Sequence, residues 1–199
     1  MSEYPKKVRL RDQTEITLRP MNEKDGDRLH SFFTSLPGED RLYLRDDVTD
    51  RTVIDRWVKN IDYDHILPII ALDADKVVGD ATLHVRRHGW WRHLGEIRLV
   101  VARDFQKKGL GATLARELYL HAHERHLHKL VASAMDTQIG AVRALEKLGF
   151  VTEALLKNHV SDLDGVKHNL LILSSDVEEL WRRFEDVILD LEVRALHAP

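Results

Sequence analysis

The sequence predicts a single α+β domain followed by a C-terminal helix. Segments with the twofold periodicity of strands alternate with segments of helical periodicity along the chain. The 199 residues suffice for one domain with a well-formed core, and 43% are hydrophobic and 32% charged, as in ordinary globular proteins. Neither a repeat nor an interior linker interrupts the pattern. We therefore expect residues 1–173 to form the domain and residues 174–199 a helix that packs on it or contacts a second copy.

The first half of the chain begins with a hairpin and two helices. Residues 7–19 alternate apolar and polar side chains around the turn-prone Arg11-Asp12-Gln13, and Pro20 ends this hairpin. Early acidic residues followed by apolar residues at helical spacing predict a helix over 22–36, which the segment Pro-Gly-Glu-Asp closes. The elements expected next are a helix over 49–59, two strands within 67–87 and a strand over 94–102.

The second half continues with helices and strands in alternation. Leu110, Leu114 and Leu118 share one face of a helix predicted over 109–126. A strand over 129–135, a helix over 138–149 and a hairpin over 151–173 with its turn at Asp164-Gly165 follow. Ser175 and Glu178 fit a capping box that begins the C-terminal helix. The apolar stripe of that helix consists of Val177, Leu180, Trp181, Phe184, Ile188 and Leu191.

Composition and charge argue against several classes of function. A net charge of −3 does not favour nucleic-acid binding, and the absence of cysteine excludes disulfides, thiolate zinc sites and cysteine nucleophiles. His121 and His123 point apart on a helix, and with His126 and His128 they match no metal-binding motif, so we expect no metal. The start resembles no signal peptide, and no apolar run reaches about 18 residues. We expect a cytoplasmic protein without membrane contact.

The clearest chemical signal is the segment Gln-Lys-Lys-Gly-Leu-Gly-Ala-Thr, residues 106–113, which joins a predicted strand to a predicted helix. Backbone N–H groups at a helix start lack internal partners and carry partial positive charge, and glycine lets phosphate oxygens approach. Lys107 and Lys108 add full charges. This pattern indicates a phosphate or diphosphate ligand. The alternative is a tight turn that needs glycine, flanked by two solvated lysines.

Neither common nucleotide-binding loop fits this turn. A dinucleotide-binding fingerprint requires a third glycine where the chain has Leu114. A phosphate-binding P-loop requires Lys-Ser or Lys-Thr where the chain has Ala112-Thr113.

The turn resembles the (Q/R)-x-x-G-x-(G/A) signature of the GNAT superfamily of N-acetyltransferases, whose loop binds the diphosphate of acetyl-CoA through backbone amides. The order of the predicted elements over residues 7–173 is also similar, which implies a mixed, mostly antiparallel central sheet flanked by helices. Segments such as "GEIRLVVARDFQKKGLG" resemble the acetyltransferase domain of bacterial Pat-type protein lysine acetyltransferases. The resemblance assigns to the diphosphate loop Gln106, Lys107, Lys108, Gly109, Leu110, Gly111 and Ala112.

The same resemblance assigns roles on the preceding strand. Strand alternation places Glu96 on one face with Arg98. The family resemblance makes Glu96 the general base, whereas the residues alone also allow a solvent-facing glutamate paired with Arg98. Backbone groups of Leu99, Val100 and Val101 would pair with the pantetheine arm, and a β-bulge is expected nearby to separate the strands.

The chain departs from the family pattern at two positions. Gln138 stands where a cofactor-contacting asparagine is usual, and Leu145 where a tyrosine often serves as general acid. The resemblance thus implies direct transfer of an acetyl group from acetyl-CoA to an amine, either a protein lysine or a small molecule, by a monomer or homodimer. The departures keep open an alternative, a catalytically silent sensor or interaction module that binds acyl-CoA.

Overall fold

The computed structural model describes residues 3–162 and 164–182, which form an eight-stranded sheet with helices on both faces. The strands are β1 Lys6–Arg9, β2 Glu15–Pro20, β3 Ile66–Asp73, β4 Lys76–Val85, β5 Leu94–Val101, β6 Lys129–Met135, β7 Val151–Ser161 and β8 Lys167–Asp176. The helices are α1 Gly26–Ser35, α2 Gly38–Arg41, α3 Arg51–Lys59, α4 Leu110–Glu124 and α5 Ile139–Lys147, with short 3-10 turns at Glu23–Asp25 and Arg103–Phe105. A further helix begins at Val177.

The sheet is mixed and mostly antiparallel, as the sequence predicted. Its strand order is β1-β2-β3-β4-β5-β6-β8-β7, and the parallel pair is β5–β6. This pair is short, because it joins only residues 94–96 to residues 129–131. A side chain on Gly95 would lie within 3.0 Å of three leucines, so a glycine there lets the strands and the helix layer meet closely. Beyond Glu96 and Val131 the two strands diverge and leave a gap in the sheet.

Each face of the sheet has its own core. Helix α4 packs against one face, where Leu110, Leu114 and Leu118 are fully buried. The packing is close, since a Cβ on Gly79 of β4 would lie only 2.9 Å from Leu114 Cδ1. Helices α1 and α3 cover the other face through a second cluster that includes Phe33. The cofactor-loop end of α4 is therefore fixed rigidly to the central strands.

The predicted bulge lies in the neighbouring strand β4 and not in β5 itself, because Ala71 pairs with Gly79 and Leu72 with Val77, which leaves Val78 as the extra residue. Strand β5 pairs with β4 in unbroken register from Val85–Gly95 to Gly79–Val101. The register shifts in the described sheet fall between Ala71 and Leu72 of β3 and in β7. No bulge is needed to open the sheet, because β6 turns away from β5 while β4 continues to hold it.

The C-terminal helix starts differently from the prediction. Strand β8 runs through Asp176, so Ser175 belongs to the sheet, where it pairs with Leu130. The Asp176 carboxylate accepts a hydrogen bond from Glu179 N at 2.8 Å and caps the helix in place of Ser175. Trp181 stacks on His123 of α4 with ring centroids 4.0 Å apart, so the helix start packs on its own domain. Phe184, Ile188 and Leu191 lie outside the described residues.

The segment predicted to close the first helix forms the short helix α2.

Two further observations concern membrane spans and metal sites. Over residues 3–162 and 164–182, no helix is long and apolar enough to span a membrane, and no group of three or more His, Asp or Glu side chains is placed to hold a metal ion.

Candidate functional site

The glycine turn between β5 and α4 has the geometry of an anion-binding loop. Lys107 and Gly109 both adopt left-handed backbone conformations, with φ of 60° and 98°. Helix α4 begins at Leu110, and Thr113 N donates to Gly109 O at 3.0 Å. The N–H groups of residues 110–112 come before this first helical bond and therefore have no acceptor within the helix. They point out of the helix start, where they carry partial positive charge. The turn therefore presents donors to a phosphate group.

The β1–β2 turn supports this loop. Arg11 N donates to Lys108 O at 3.1 Å. The Arg11 side chain passes close to Gly109, since a Cβ there would lie 3.6 Å from Arg11 Cγ and 3.7 Å from its Nε. Within the part of the chain that the structure describes, Asp12 pairs with Lys108 and Arg11 has no carboxylate partner. The sequence analysis missed Arg11, because the contact joins two turns that are far apart in the chain.

The polar residues of the loop have different surroundings. Lys108 Nζ lies 2.9 Å from Asp12 Oδ2 and 5.2 Å from the centroid of the Phe105 ring. The hydrogen bond from Lys108 lowers the pKa of Asp12 to about 2, so the Asp12 carboxylate is ionised at neutral pH. Lys107 is exposed. Gln106 Nε2 donates to Val101 O at 3.1 Å, which ties the loop back to the end of β5.

The gap in the sheet leads directly to this turn. Leu99, Val100 and Val101 pair with β4 on one side, whereas pairing with β6 has already stopped at Glu96. Because the β6 side of this segment has no strand partner, alternate backbone N–H and C=O groups face the gap. A Cβ on Gly111 would lie 3.6 Å from Leu99 and 3.8 Å from Val101, so the helix start packs directly against the strand segment that borders the gap.

Glu96 lies where the gap begins, held by two arginines. Its Oε1 is 2.5 Å from Arg45 Nη2 and accepts a hydrogen bond from Arg98 Nε at 3.3 Å. The Glu96 side chain keeps 33% of its surface exposed. Partial burial raises the pKa of Glu96, but Arg98 and Arg45 together lower it by more, so the pKa lies below its ordinary value. The carboxylate is therefore ionised at neutral pH and remains accessible from the gap.

A row of polar side chains on β4 faces the same side of the sheet. His84 pairs directly with Glu96, and Thr82 and Asp80 pair with Arg98 and Val100. Burial lowers the pKa of His84 to about 4, so its imidazole is neutral at physiological pH. Burial raises the pKa of Asp80 to about 7, although part of its side chain is still accessible, and the Thr82 hydroxyl only partly offsets this. The signal for this row was already in the sequence, as polar residues at alternate positions of an apolar strand.

Gln138 and Leu145 lie on the β6 side of the gap. Gln138 precedes α5, and its Oε1 accepts a hydrogen bond from Met135 N at 2.8 Å. This bond orients Gln138 toward the end of β6 and leaves its amide NH₂ group to donate elsewhere. Leu145 packs against the main core and offers no proton donor. Of the predicted residues, Glu96 and residues 99–101 thus border the gap on the β5 side, residues 106–112 follow at the glycine turn, and Gln138 lies at the end of β6.

The site thus combines a glycine turn at a helix start, a strand edge that β6 does not pair and an ionised carboxylate. The profile of the Acetyltransferase (GNAT) family matches residues 30–150, which include β5, the glycine turn and all of α5. The chain therefore belongs to the GNAT family. It is an acetyltransferase, and its co-substrate is acetyl-CoA.

Solved structures share the fold. The GNAT domain of the Streptomyces lividans Pat protein (S. lividans PAT) superposes with a TM-score of 0.72 at 18% identity, over 87% of this chain and 99% of that one. Ribosomal-protein-alanine N-acetyltransferase from Brucella melitensis has a TM-score of 0.69 at 24% identity, and the match covers 80% of this chain and 98% of that one. The yncA protein of Salmonella typhimurium, solved with its cofactor acetyl-CoA, gives 0.69 at 18% identity, over 81% and 94%. Among curated proteins, none matches the chain significantly.

Proposed function

We propose that this protein transfers the acetyl group of acetyl-CoA directly to a primary amine, with Glu96 as the general base. The observation that carries the proposal is the gap between β5 and β6, which begins beyond Glu96 and Val131, along the strand that continues into the Gly109 turn. This gap is the proposed acetyl-CoA channel, with an ionised carboxylate at its start and a turn rich in backbone donors beyond it. A protein lysine or a small amine is the acceptor.

The residues around the gap suit acetyl-CoA. The N–H groups of residues 110–112 would bind the diphosphate, with Lys107 and Arg11 adding charge. Backbone groups of Leu99, Val100 and Val101 would pair with the pantetheine arm as an added strand. Gln138 would contact the arm from the β6 side. Acetyl-CoA supplies an activated acetyl thioester, and the chain supplies its placement beside the amine.

Glu96 would take the proton that the amine loses. The amine nitrogen forms a bond to the acetyl carbonyl carbon, the carbon–sulfur bond breaks, and coenzyme A leaves as the thiolate. As the new bond forms, the nitrogen becomes far more acidic than a free ammonium, so a carboxylate with a low pKa can accept its proton. A thiol has an ordinary pKa of about 8.5, so the thiolate is an adequate leaving group although Leu145 cannot protonate it.

A second candidate is an acyl-CoA-binding sensor that no longer catalyses transfer. Two observations favour it: Glu96 is held by Arg45 and Arg98, and Leu145 stands where a general acid is common in the family. Both proposals require acetyl-CoA in the channel. They differ in whether free coenzyme A is released when an amine is present.

One experiment separates them. The protein is incubated with acetyl-CoA and a panel of polyamines, amino acids and lysine-containing peptides while free thiol is followed. Transfer predicts thiol release with at least one acceptor, and the variant Glu96→Gln should lose about 10² or more in kcat while its affinity for acetyl-CoA is kept. Tight binding of acetyl-CoA without release for any acceptor would support the sensor. An unchanged rate in Glu96→Gln would remove Glu96 from the mechanism.

A further inference from the structure

A second cavity lies at the opposite end of α4 from the glycine turn. Its volume is about 790 Å³. Helix α4 has 15 residues, so at about 1.5 Å per residue the two ends are about 22 Å apart. The cavity therefore lies far from the glycine turn, below the point where β5 and β6 separate. Its lining is Asp64, Val85, Arg86, Arg87, Trp90, Arg92, His93, Arg125, His126, Leu127 and His128.

The lining contains four arginines and one aspartate. The aspartate, Asp64, neutralises Arg87, because Asp64 Oδ2 lies 3.0 Å from Arg87 Nη2. Arg125 is oriented by backbone instead, since its Nη2 donates to Tyr63 O at 2.7 Å. A carbonyl oxygen fixes the position of a guanidinium without cancelling its charge. Arg125 is therefore a positioned cation at the wall of the cavity.

The β4–β5 loop contributes two more arginines in the same way. Arg86 lies over the Trp91 ring, with its Cζ 5.2 Å from the ring centroid, and Arg92 Nη1 donates to Gly89 O at 3.3 Å. Within the described residues neither has a carboxylate partner. Three guanidinium groups thus converge on one concavity and retain their charge, which is the pattern that binds multivalent anions such as phosphates.

The same loop exposes a planar ring at the edge of the cavity. Trp90 is 83% exposed, and its ring lies 6.5 Å from that of Trp91. A large exposed indole next to arginines offers a stacking surface for a planar, electron-poor or heterocyclic ring. The observed volume is also in the range of about 300–1,000 Å³ that is typical of pockets for small molecules.

We propose that this cavity binds a small phosphorylated ligand that carries a planar ring, that is, a nucleotide. The arginines Arg86, Arg92 and Arg125 bind its phosphates, and Trp90 stacks on its base. A concave site of limited size with converging cations suits a compact polyanion better than an extended acidic peptide or an oligonucleotide. This site is independent of the acetyl-CoA channel and of the reaction proposed for it.

The test is calorimetry on the full chain with three probes: ATP, inorganic tripolyphosphate and adenosine. Because ATP shares an adenosine diphosphate portion with coenzyme A and so also suits the glycine turn, the titrations are made without coenzyme A and repeated on Arg11→Ala, which should leave binding at this cavity unchanged. The variants are Arg86→Ala, Arg92→Ala and Trp90→Ala. The matched control is Lys76→Ala, which removes one exposed charge at the other end of β4.

The proposal predicts binding of ATP and tripolyphosphate and none of adenosine. Each arginine variant should lower the affinity for both anions by about tenfold. Trp90→Ala should lower the affinity for ATP by about tenfold but leave the affinity for tripolyphosphate unchanged. Lys76→Ala should change neither. The proposal is overturned if neither anion binds, if Lys76→Ala loses as much affinity as the arginine variants, or if adenosine binds as tightly as ATP. Binding of an oligonucleotide or a polyglutamate peptide without ATP binding would also overturn it, in favour of a macromolecular partner.

Discussion

Arg45 Nη2 lies 2.5 Å from Glu96 Oε1. This contact joins the loop between α2 and α3 to the start of the gap between β5 and β6. Because Arg98 approaches the same carboxylate oxygen from within β5, Glu96 is oriented from two directions and its pKa is held below the ordinary value. The loop between α2 and α3 therefore helps to set the protonation of the proposed base.

Removal of Arg45 should shift the pH dependence of the reaction. In Arg45→Ala the pKa of Glu96 rises because a nearby positive charge is lost, so the acid limb of kcat/KM should move to higher pH. The measurement is kcat/KM between pH 5 and 9 with a fixed amine. Arg56→Ala, which removes an exposed charge on α3, is the control and should leave the profile in place. An acid limb that stays at the same pH in both variants would show that Glu96 is not the group being titrated.

Removal of Arg11 should weaken acetyl-CoA binding without slowing the chemical step. The Arg11 side chain passes Gly109 and has no carboxylate partner in the described residues, so its charge is available to a phosphate. In Arg11→Ala we expect KM for acetyl-CoA to rise about five- to tenfold with kcat unchanged. Arg9→Ala removes an exposed charge from the adjoining strand and should alter neither constant. If both variants raised KM equally, the effect would come from the general positive charge of this region, and the specific role of Arg11 would be contradicted.

Substitution of Gly109 should affect both stability and acetyl-CoA binding. Its φ of 98° is unfavourable for any residue with a Cβ, so Gly109→Ala should cost about 1–2 kcal/mol of folding free energy and raise KM for acetyl-CoA. Gly165 is a matched control, because it has a φ of 78° and open space around it in the β7–β8 turn. Gly165→Ala should lower stability similarly with no change in KM. The reverse pattern, with KM altered only by Gly165→Ala, would contradict the assignment of the turn.

Asp80 should make the protein less stable as the pH rises to neutrality. Burial raises its pKa to about 7 in the folded chain, so between about pH 4 and pH 7 the folded state binds more protons than the unfolded state and stability falls with increasing pH. Asp80→Asn removes this loss, so the variant should gain free energy of unfolding relative to the wild type. This gain should be larger at pH 8 than at pH 5 by on the order of 1–3 kcal/mol. Urea denaturation at the two pH values measures the difference. Asp104→Asn, at an exposed position, is the control, and an equal effect of Asp80→Asn at both pH values would contradict the argument.

Much of the fold could be predicted from local sequence patterns. The hairpin turn at residues 11–13, helix α4 and the β7–β8 hairpin follow from periodicity and turn residues that act within a few positions. The bulge was predicted in the wrong strand. The gap results from the early end of the β5–β6 pairing, which local sequence pattern does not specify. The cap was misplaced by one residue, since Ser175 and Asp176 are both good caps and the length of β8 decides between them.

The candidate site was predictable where it is one continuous segment and not where it depends on tertiary contacts. Residues 99–112 could be assigned because the strand, turn and helix start are consecutive. Arg45 could not, because its contact with Glu96 joins a loop to strand β5, and a helix and two strands lie between them in the chain. Arg11 was missed for the same reason. Asp80 and His84 stand at alternate positions, but only the β4–β5 register shows that they face the same side as Glu96.

The measurement that tests the account most directly is calorimetric titration of the purified protein with acetyl-CoA, alongside the same titration of the Gly109→Ala variant. Amides of residues 110–112 that bind the diphosphate predict heat with one molecule bound per chain, and weaker binding in the variant. Absence of heat with the wild-type protein, or equal affinity in both proteins, would contradict the placement of acetyl-CoA between β5 and β6.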